Sequence, residues 1–255
     1  MNKMIKHIAA ILLTISCFGQ TKDRKLVWQE EFNGTQLNES DWNFELGDGC
    51  PAICGWGNNE KQLYTKTNHS LQDGNLVIKV VKQDDHYTST RITTAQKREF
   101  QYGRMEVKAK IPTGKGIWPA FWMLGSNIKQ AGWPKCGEID ILEYVGREPN
   151  KVFTSLHTQD SHGNTINTKK TQIDAIEDGF HLYAIDWTKD KIEFFVDNTS
   201  VYIFSPEKKD ENIWPFDQPF FFIINVAVGG NFGGHDIDNT IFPQEFLIDY
   251  IRVYQ

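Results

Sequence analysis

The stretch GEIDILEYVG, residues 137–146, sets three carboxylates, Glu138, Asp140 and Glu143, into an otherwise apolar run with β-branched residues. A strand buried on both faces cannot hold them, because an unpaired carboxylate in a core costs several kcal/mol. One face of this strand must therefore meet water or a ligand. Alternation puts Glu138 and Asp140 on one face and Ile139 and Ile141 on the other. Strict alternation would also send Glu143 to the apolar face. A β-bulge near Ile141 and Leu142 shifts the phase by one residue, so that Glu138, Asp140 and Glu143 emerge together while Ile139, Ile141 and Tyr144 pack behind.

Two glutamates converging on one surface are the minimal apparatus of glycoside hydrolysis, one attacking the sugar and the other protonating the leaving oxygen. An aspartate between them would hold one glutamate and keep the pair from ionising together. Spacing alone leaves a calcium site or a solvated edge strand open as alternatives.

Working outward, period-two runs recur along the chain. The clearest is Met105 to Ile111, where Met105, Val107, Ala109 and Ile111 alternate with Glu106, Lys108 and Lys110. Further strands are expected at Leu76 to Val81, Tyr87 to Thr93, Ala120 to Leu124, Val152 to Thr158, His181 to Trp187, Lys191 to Val196, Phe220 to Val228 and Phe246 to Tyr254, separated by Gly, Asn, Asp and Pro clusters. Nothing reads as a long amphipathic helix. Many short strands with turn signals imply an all-β fold, a jelly-roll β-sandwich of two antiparallel sheets.

Residues 1–19 read as a secretory signal, with Lys3 and Lys6 ahead of the apolar stretch Ile8 to Ile15 and small residues near Gly19. That stretch is too short to span a bilayer. Removing it leaves residues 20–255 as one domain, without linker or repeat, and moves the formal charge from −6 to −8 by loss of two lysines. Ser16-Cys17 also permits lipidation at Cys17, which would tether the protein to a membrane; Thr14 fits a lipobox poorly and favours soluble export. The expected location is thus secreted or periplasmic, with an outer-membrane lipoprotein as the alternative. The mild acidity and the lack of a Lys/Arg cluster argue against a nucleic-acid partner and fit a neutral polymer. In an exported chain a disulfide is expected, and Cys50 with Cys54 is the natural pair if the loop GDGCPAICGWG closes on itself, leaving Cys136 as a buried thiol. Zinc at CPAIC lacks partners at ligand spacing.

Tryptophans and tyrosines suit a sugar cleft, because pyranose rings present C–H faces to aromatic rings while their hydroxyls need polar partners. Trp118 and Trp122 are both even-numbered and share a face if GIWPAFWML is a regular strand. An aromatic in a sandwich can equally be core.

The segment GEIDILEYVG resembles the active-site strand of glycoside hydrolase family 16, in the bulged form of the laminarinases, which are endo-acting β-1,3-glucanases. Also similar to that family, in its order, are LVWQEEFNG (26–34), GWGNNEKQLYT (55–65), FQYGRMEVKAKIP (100–112), GIWPAFWMLG (116–125), NVAVGGNFGG (225–234) and FLIDYIRVY (246–254). The resemblance implies a substrate lying across a concave sheet, retention of configuration, Glu138 as nucleophile, Glu143 as acid/base and Asp140 as the residue that orients Glu138. It implies a β-1,3-glucan as polysaccharide substrate, a monomer, and no cofactor for catalysis. It favours Trp118 and Trp133 as cleft residues and leaves Trp122 in the core. Trp56, Asn59 and Glu60 become sugar-contact candidates, as does Arg91, for which a surface salt bridge is the alternative. His157 is placed beside the acid/base. A structural calcium would be held by Glu31, Gly74 and Asp249, at positions whose spacing alone suggests nothing. Related polymers, mixed-linkage glucan or galactans such as agarose, and a non-catalytic β-glucan-binding lectin are the competing expectations.

Overall fold

Strands with apolar and polar residues in alternation hide one apolar face, and two such faces closed against each other make the core. In the computed structural model, which describes residues 24–255, Met105, Val107 and Ala109 are completely buried, while Glu106 and Lys108 stay partly open to solvent and Lys110 is exposed. Burying side chains the size of Met105 and Val107 contributes roughly 1.5–3 kcal/mol each, and the Ala109 methyl less. The expected signal segment and Cys17 lie outside the described residues.

The convex sheet runs Thr199–Phe204, Ile192–Val196, His181–Trp187, Gly103–Lys110, Gln244–Tyr254, Asn75–Gln83, His86–Ser89, Gln62–Tyr64, with Leu26–Glu30 also paired to Gln244–Tyr254 and His69–Gln72 to Asn75–Gln83. The concave sheet runs Thr168–Gln172, Lys151–His157, Glu138–Glu143, Ile117–Gly125, Phe220–Val228, Arg91–Thr93, Asn43–Glu45, with Glu99–Phe100 joining Phe220–Val228. Among the described residues the pairing is antiparallel except between Gln62–Tyr64 and His86–Ser89. This is the jelly-roll sandwich that the alternation implies. Among the described residues helix is confined to short turns, Ile128–Ala131 and Gly230–Gly233, and one 3-10 segment, Cys54–Gly57.

Between the sheets the rings of Phe121 and Phe222 stack at 5.0 Å, and Trp28 lies 6.1 Å from Phe222. Phe220–Val228 is buried along its whole length. Its even-numbered residues fill the core, and the odd ones, Phe221, Ile223, Asn225 and Ala227, form the floor of the opposite, concave face.

Two expectations change. Tyr87 to Thr93 is not one strand: the chain leaves the convex sheet after Ser89 and enters the concave sheet at Arg91, with Thr90 Oγ1 donating to Thr65 O at the crossing. Ser89 to Thr93 are all buried and carry no apolar alternation, so periodicity cannot reveal a change of sheet. Thr168–Gln172, TKKTQ, is an edge strand with no apolar face and gave no period to read.

Candidate active site

The active-site strand begins at Glu138 opposite Leu124 and ends at Glu143 opposite Ala120. Phe121 pairs with Leu142 while the next residue, Trp122, pairs with Asp140, so Ile141 is the extra residue of a bulge. The other neighbour agrees, Asp140 facing Ser155 and Glu143 facing Phe153. Ile139, Ile141, Leu142 and Tyr144 all lie in the core cluster. The phase slip therefore does what the carboxylates require: Glu138, Asp140 and Glu143 share the concave face.

Each glutamate receives one indole N–H. Trp133 Nε1 donates to Glu138 Oε2 at 2.8 Å, and Trp118 Nε1 donates to Glu143 Oε1 at 3.0 Å. His157, directly across from Glu138 in the sheet, brings Nε2 within 3.2 Å of Asp140 Oδ2 and 3.6 Å of Glu138 Oε1. Asp140 is buried and Glu143 is 8% exposed.

Burial penalises every charge here, and the groups then act on one another. Burial first, then Asp140, pushes Glu138 up to about 8, against the pull of His157 and the Trp133 N–H. Glu143 is raised well above the ordinary range by burial, then by Asp140 and Glu138, with His157 and the Trp118 N–H opposing. Burial disfavours a charged His157, but Asp140 and the charges of both glutamates outweigh it and raise the imidazole to about 9. The cluster thus favours bound protons, which come off as a coupled set. Glu138, Asp140 and His157 offer atoms within 4.8 Å of one another, a span that suits a metal. A metal there would have to displace the protons favoured by the raised Glu138 and His157.

The remaining cleft candidates separate by role. Trp133 is 47% exposed at the rim and Trp118 is half-buried beside Glu143. Trp122 is not core: it projects into the cleft between Asp140 and Ile223, and its Nε1 donates to Asn225 Oδ1 at 2.8 Å. Alternation had put it on the face of Trp118, and alternation was right. Arg91, 8% exposed, is no surface ion pair; its guanidinium lies 4.5 Å from the Trp56 ring centroid and 4.9 Å from that of Trp122, and it pairs with Glu45. Trp56 is thereby held at the cleft. Glu60 is engaged by protein donors, Gln62 Nε2 at 2.7 Å, Tyr64 OH at 3.1 Å and Asn58 Nδ2 at 3.3 Å. Asn59 donates to Asn231 Oδ1 at 2.9 Å.

Sequence reasoning missed Asn225 and Tyr64. Asn225 Nδ2 donates to Tyr64 OH at 3.0 Å, so a polar chain runs from Trp122 through Asn225 and Tyr64 to Glu60 beneath the cleft floor. The signal was present, since Asn225 is the one polar residue of the strand FFFIINVAV. A buried polar side chain in an apolar run needs a partner.

Away from the cleft, Glu31 accepts two bonds from Arg252, at 2.7 and 2.9 Å, and Asp249 pairs with Lys108 at 2.8 Å. Both carboxylates named for calcium are thus already neutralised by side-chain cations. In this arrangement they do not form an anionic cage for a divalent ion, and no chemistry is routed through one. The loop near Trp56 is closed by the Cys50–Cys54 disulfide, and Cys136 is a buried thiol that burial, followed by Glu138, pushes up to about 12.

Comparison with known proteins agrees with this geometry. The model of the family "Glycosyl hydrolases family 16" matches residues 57–251. A laminarinase from Flavobacterium sp. UMI-01 superposes with a TM-score of 0.90 at 71% identity, covering 91% of this chain and 100% of that one. The laminarinase catalytic domain of Thermotoga maritima MSB8 superposes with a TM-score of 0.86 at 41% identity, covering 92% and 99%. A β-glucanase of Rhodothermus marinus is 36% identical over 100% of this chain and 96% of its own length.

Proposed function

The chain belongs to glycosyl hydrolase family 16, a glycoside hydrolase of endo-β-glucanase type, and from that premise we propose an exported endo-β-1,3-glucanase that works with retention of anomeric configuration. The observation that carries the mechanism is the bulge at Ile141, which turns Glu138, Asp140 and Glu143 onto one face with an indole N–H on each glutamate. Names borne by the similar proteins support the β-1,3 linkage. Arg91 beneath the cleft, already paired with Glu45, leaves the floor suited to a neutral polymer rather than a sulfated one.

In this reading Glu138 attacks the anomeric carbon while Glu143 gives its proton to the departing glycosidic oxygen. Glu143 then takes a proton from the water that releases the glycosyl-enzyme. Burial and the mutual repulsion of the carboxylates raise both glutamates, so that one of the pair can hold a proton while the other is ionised. Once Glu138 is esterified its charge is gone, the proton affinity of Glu143 falls, and the same residue can act as base. Asp140 and His157 hold Glu138 between them. A glucan chain crossing the sheet would meet Trp118, Trp122 and Trp133 with its C–H faces.

Time-resolved NMR of products from laminarin oligosaccharides tests linkage, cleavage position and anomeric outcome together. The expected result is internal cleavage of β-1,3 bonds with the β-anomer appearing first. Activity confined to agarose or lichenan, α-anomer as first product, or saturable binding without release would each defeat the proposal.

A further inference from the structure

The motif GGNFGG, residues 229–234, contributes no group to the chemistry, yet its central ring touches the machinery. Phe232 stands edge-on to Trp118, with centroids 5.3 Å apart and planes at 83°, and edge-on to Phe153 at 5.0 Å and 82°. The Arg147 guanidinium lies 5.9 Å from its centroid. Phe232 is therefore bounded by three neighbours, one of them the indole that donates to Glu143.

We propose that the turn carrying Phe232 is a positioning device for the acid/base, fixing the Trp118 ring so that its N–H stays on Glu143. This rests on Glu143 being the proton donor. An indole on a strand can turn about its side-chain bonds, and an edge-to-face partner selects one of those orientations.

The backbone of the turn is itself fixed. Gly230 has φ +79°, and a Cβ there would sit 2.7 Å from Asn58 O. The Asn231 N–H donates to that same carbonyl at 2.7 Å, Asn59 Nδ2 donates to Asn231 Oδ1 at 2.9 Å, and Gly229 bridges to Glu60. Gly233 lies in van der Waals range of Trp118, where an added Cβ would be 3.4 Å from the Trp118 Cβ. The close approach of two backbones at Gly230 requires glycine. Asn59 and Glu60 thus tie the turn to the cleft loop, and the turn in turn seats Trp118. Phe232 is a positioning residue acting through the indole.

The test uses the full-length enzyme with Phe232→Ala, Phe232→Tyr and Gly230→Ala, the last keeping the ring while displacing its turn. Thermal unfolding first establishes that each variant folds. The indole N–H resonance of Trp118, assigned with Trp118→Phe, is followed against pH without substrate, and kcat and KM are followed against pH on laminarin oligosaccharides. For Phe232→Ala and Gly230→Ala, kcat should fall on the order of 10- to 100-fold, as expected when a reacting group is misplaced by about 1 Å. KM should rise by a smaller factor than kcat falls, since Trp118 also meets the sugar but the lost alignment acts on the proton transfer. The alkaline limb should move to higher pH, because the Trp118 bond holds down the proton affinity of Glu143. The Trp118 resonance should move upfield and lose its response to Glu143, and Phe232→Tyr should restore both. An unchanged resonance and alkaline limb would overturn the proposal, as would a rise in KM alone, which would make Phe232 a sugar contact. If the wild-type enzyme cleaves no laminarin, the proposed function fails separately, and the substrate-free resonance still decides the positioning role.

Discussion

Replacing Trp133 by Phe keeps an aromatic ring at the rim and removes one proton donor, the N–H that reaches Glu138 Oε2 at 2.8 Å. A hydrogen bond to a charged group contributes about 1.5–3 kcal/mol. Trp133 is 47% exposed, so water refills part of the vacated site, and we take a net loss of about 1 kcal/mol. At 1.36 kcal/mol per tenfold this is roughly a fivefold change in the ionisation of Glu138. The sign follows from what the bond favours. It pulls toward the ionised form, against the burial and the Asp140 charge that push Glu138 up to about 8. Without it Glu138 holds its proton to higher pH, and the nucleophile is present less often at any pH below that range. The acidic limb of kcat/KM should therefore move to higher pH by about 0.7, with activity about fivefold lower on the acidic side and equal to wild type on the plateau. Reducing-sugar release from laminarin, measured between pH 4 and 10, reads both. A uniform loss at all pH values would refute the reasoning, because Trp133 would then bind sugar without tuning Glu138.

Other outcomes follow from the same structure. Glu138→Ser should lower laminarin hydrolysis by at least about a thousandfold with binding retained, read by reducing-sugar assay and calorimetry; wild-type rate would remove the nucleophile assignment. Asn225→Leu leaves the Trp122 N–H and Tyr64 OH without their mutual partner and should cost about 1–3 kcal/mol in urea unfolding, with KM rising more than kcat falls as Trp122 loosens. Phe222→Ala, at a fully buried ring packed on Phe121, Phe100 and Trp28, should cost about 3–5 kcal/mol in the same assay. Chelation should change neither activity nor melting temperature while Glu31 stays with Arg252 and Asp249 with Lys108; a fall in melting temperature on chelation, restored by calcium, would show that these pairs open around an ion.

Strand identity and facing were legible in the chain because a half-buried strand repeats every two residues, and that repeat is local. Met105 to Ile111 shows it directly, and even the bulge at Ile141 could be inferred, since no other phase keeps Glu143 out of the core. The same logic placed Trp122 beside Trp118, where it lies. What alternation could not carry is which strand lies next to which. The chain changes sheets at Thr90 without a break in its sequence character, and TKKTQ forms an edge with no apolar face. The polar chain from Trp122 to Glu60, the stacking of Arg91 between Trp56 and Trp122, and the seating of Trp118 by Phe232 join residues that only sheet register and loop closure bring together. The sequence by itself determined that an acidic face exists and which residues lie on it, because burying charge is costly wherever it occurs. Only the tertiary structure decided what holds each acid in place, because hydrogen bonds and ring contacts depend on distances between segments that no local period encodes.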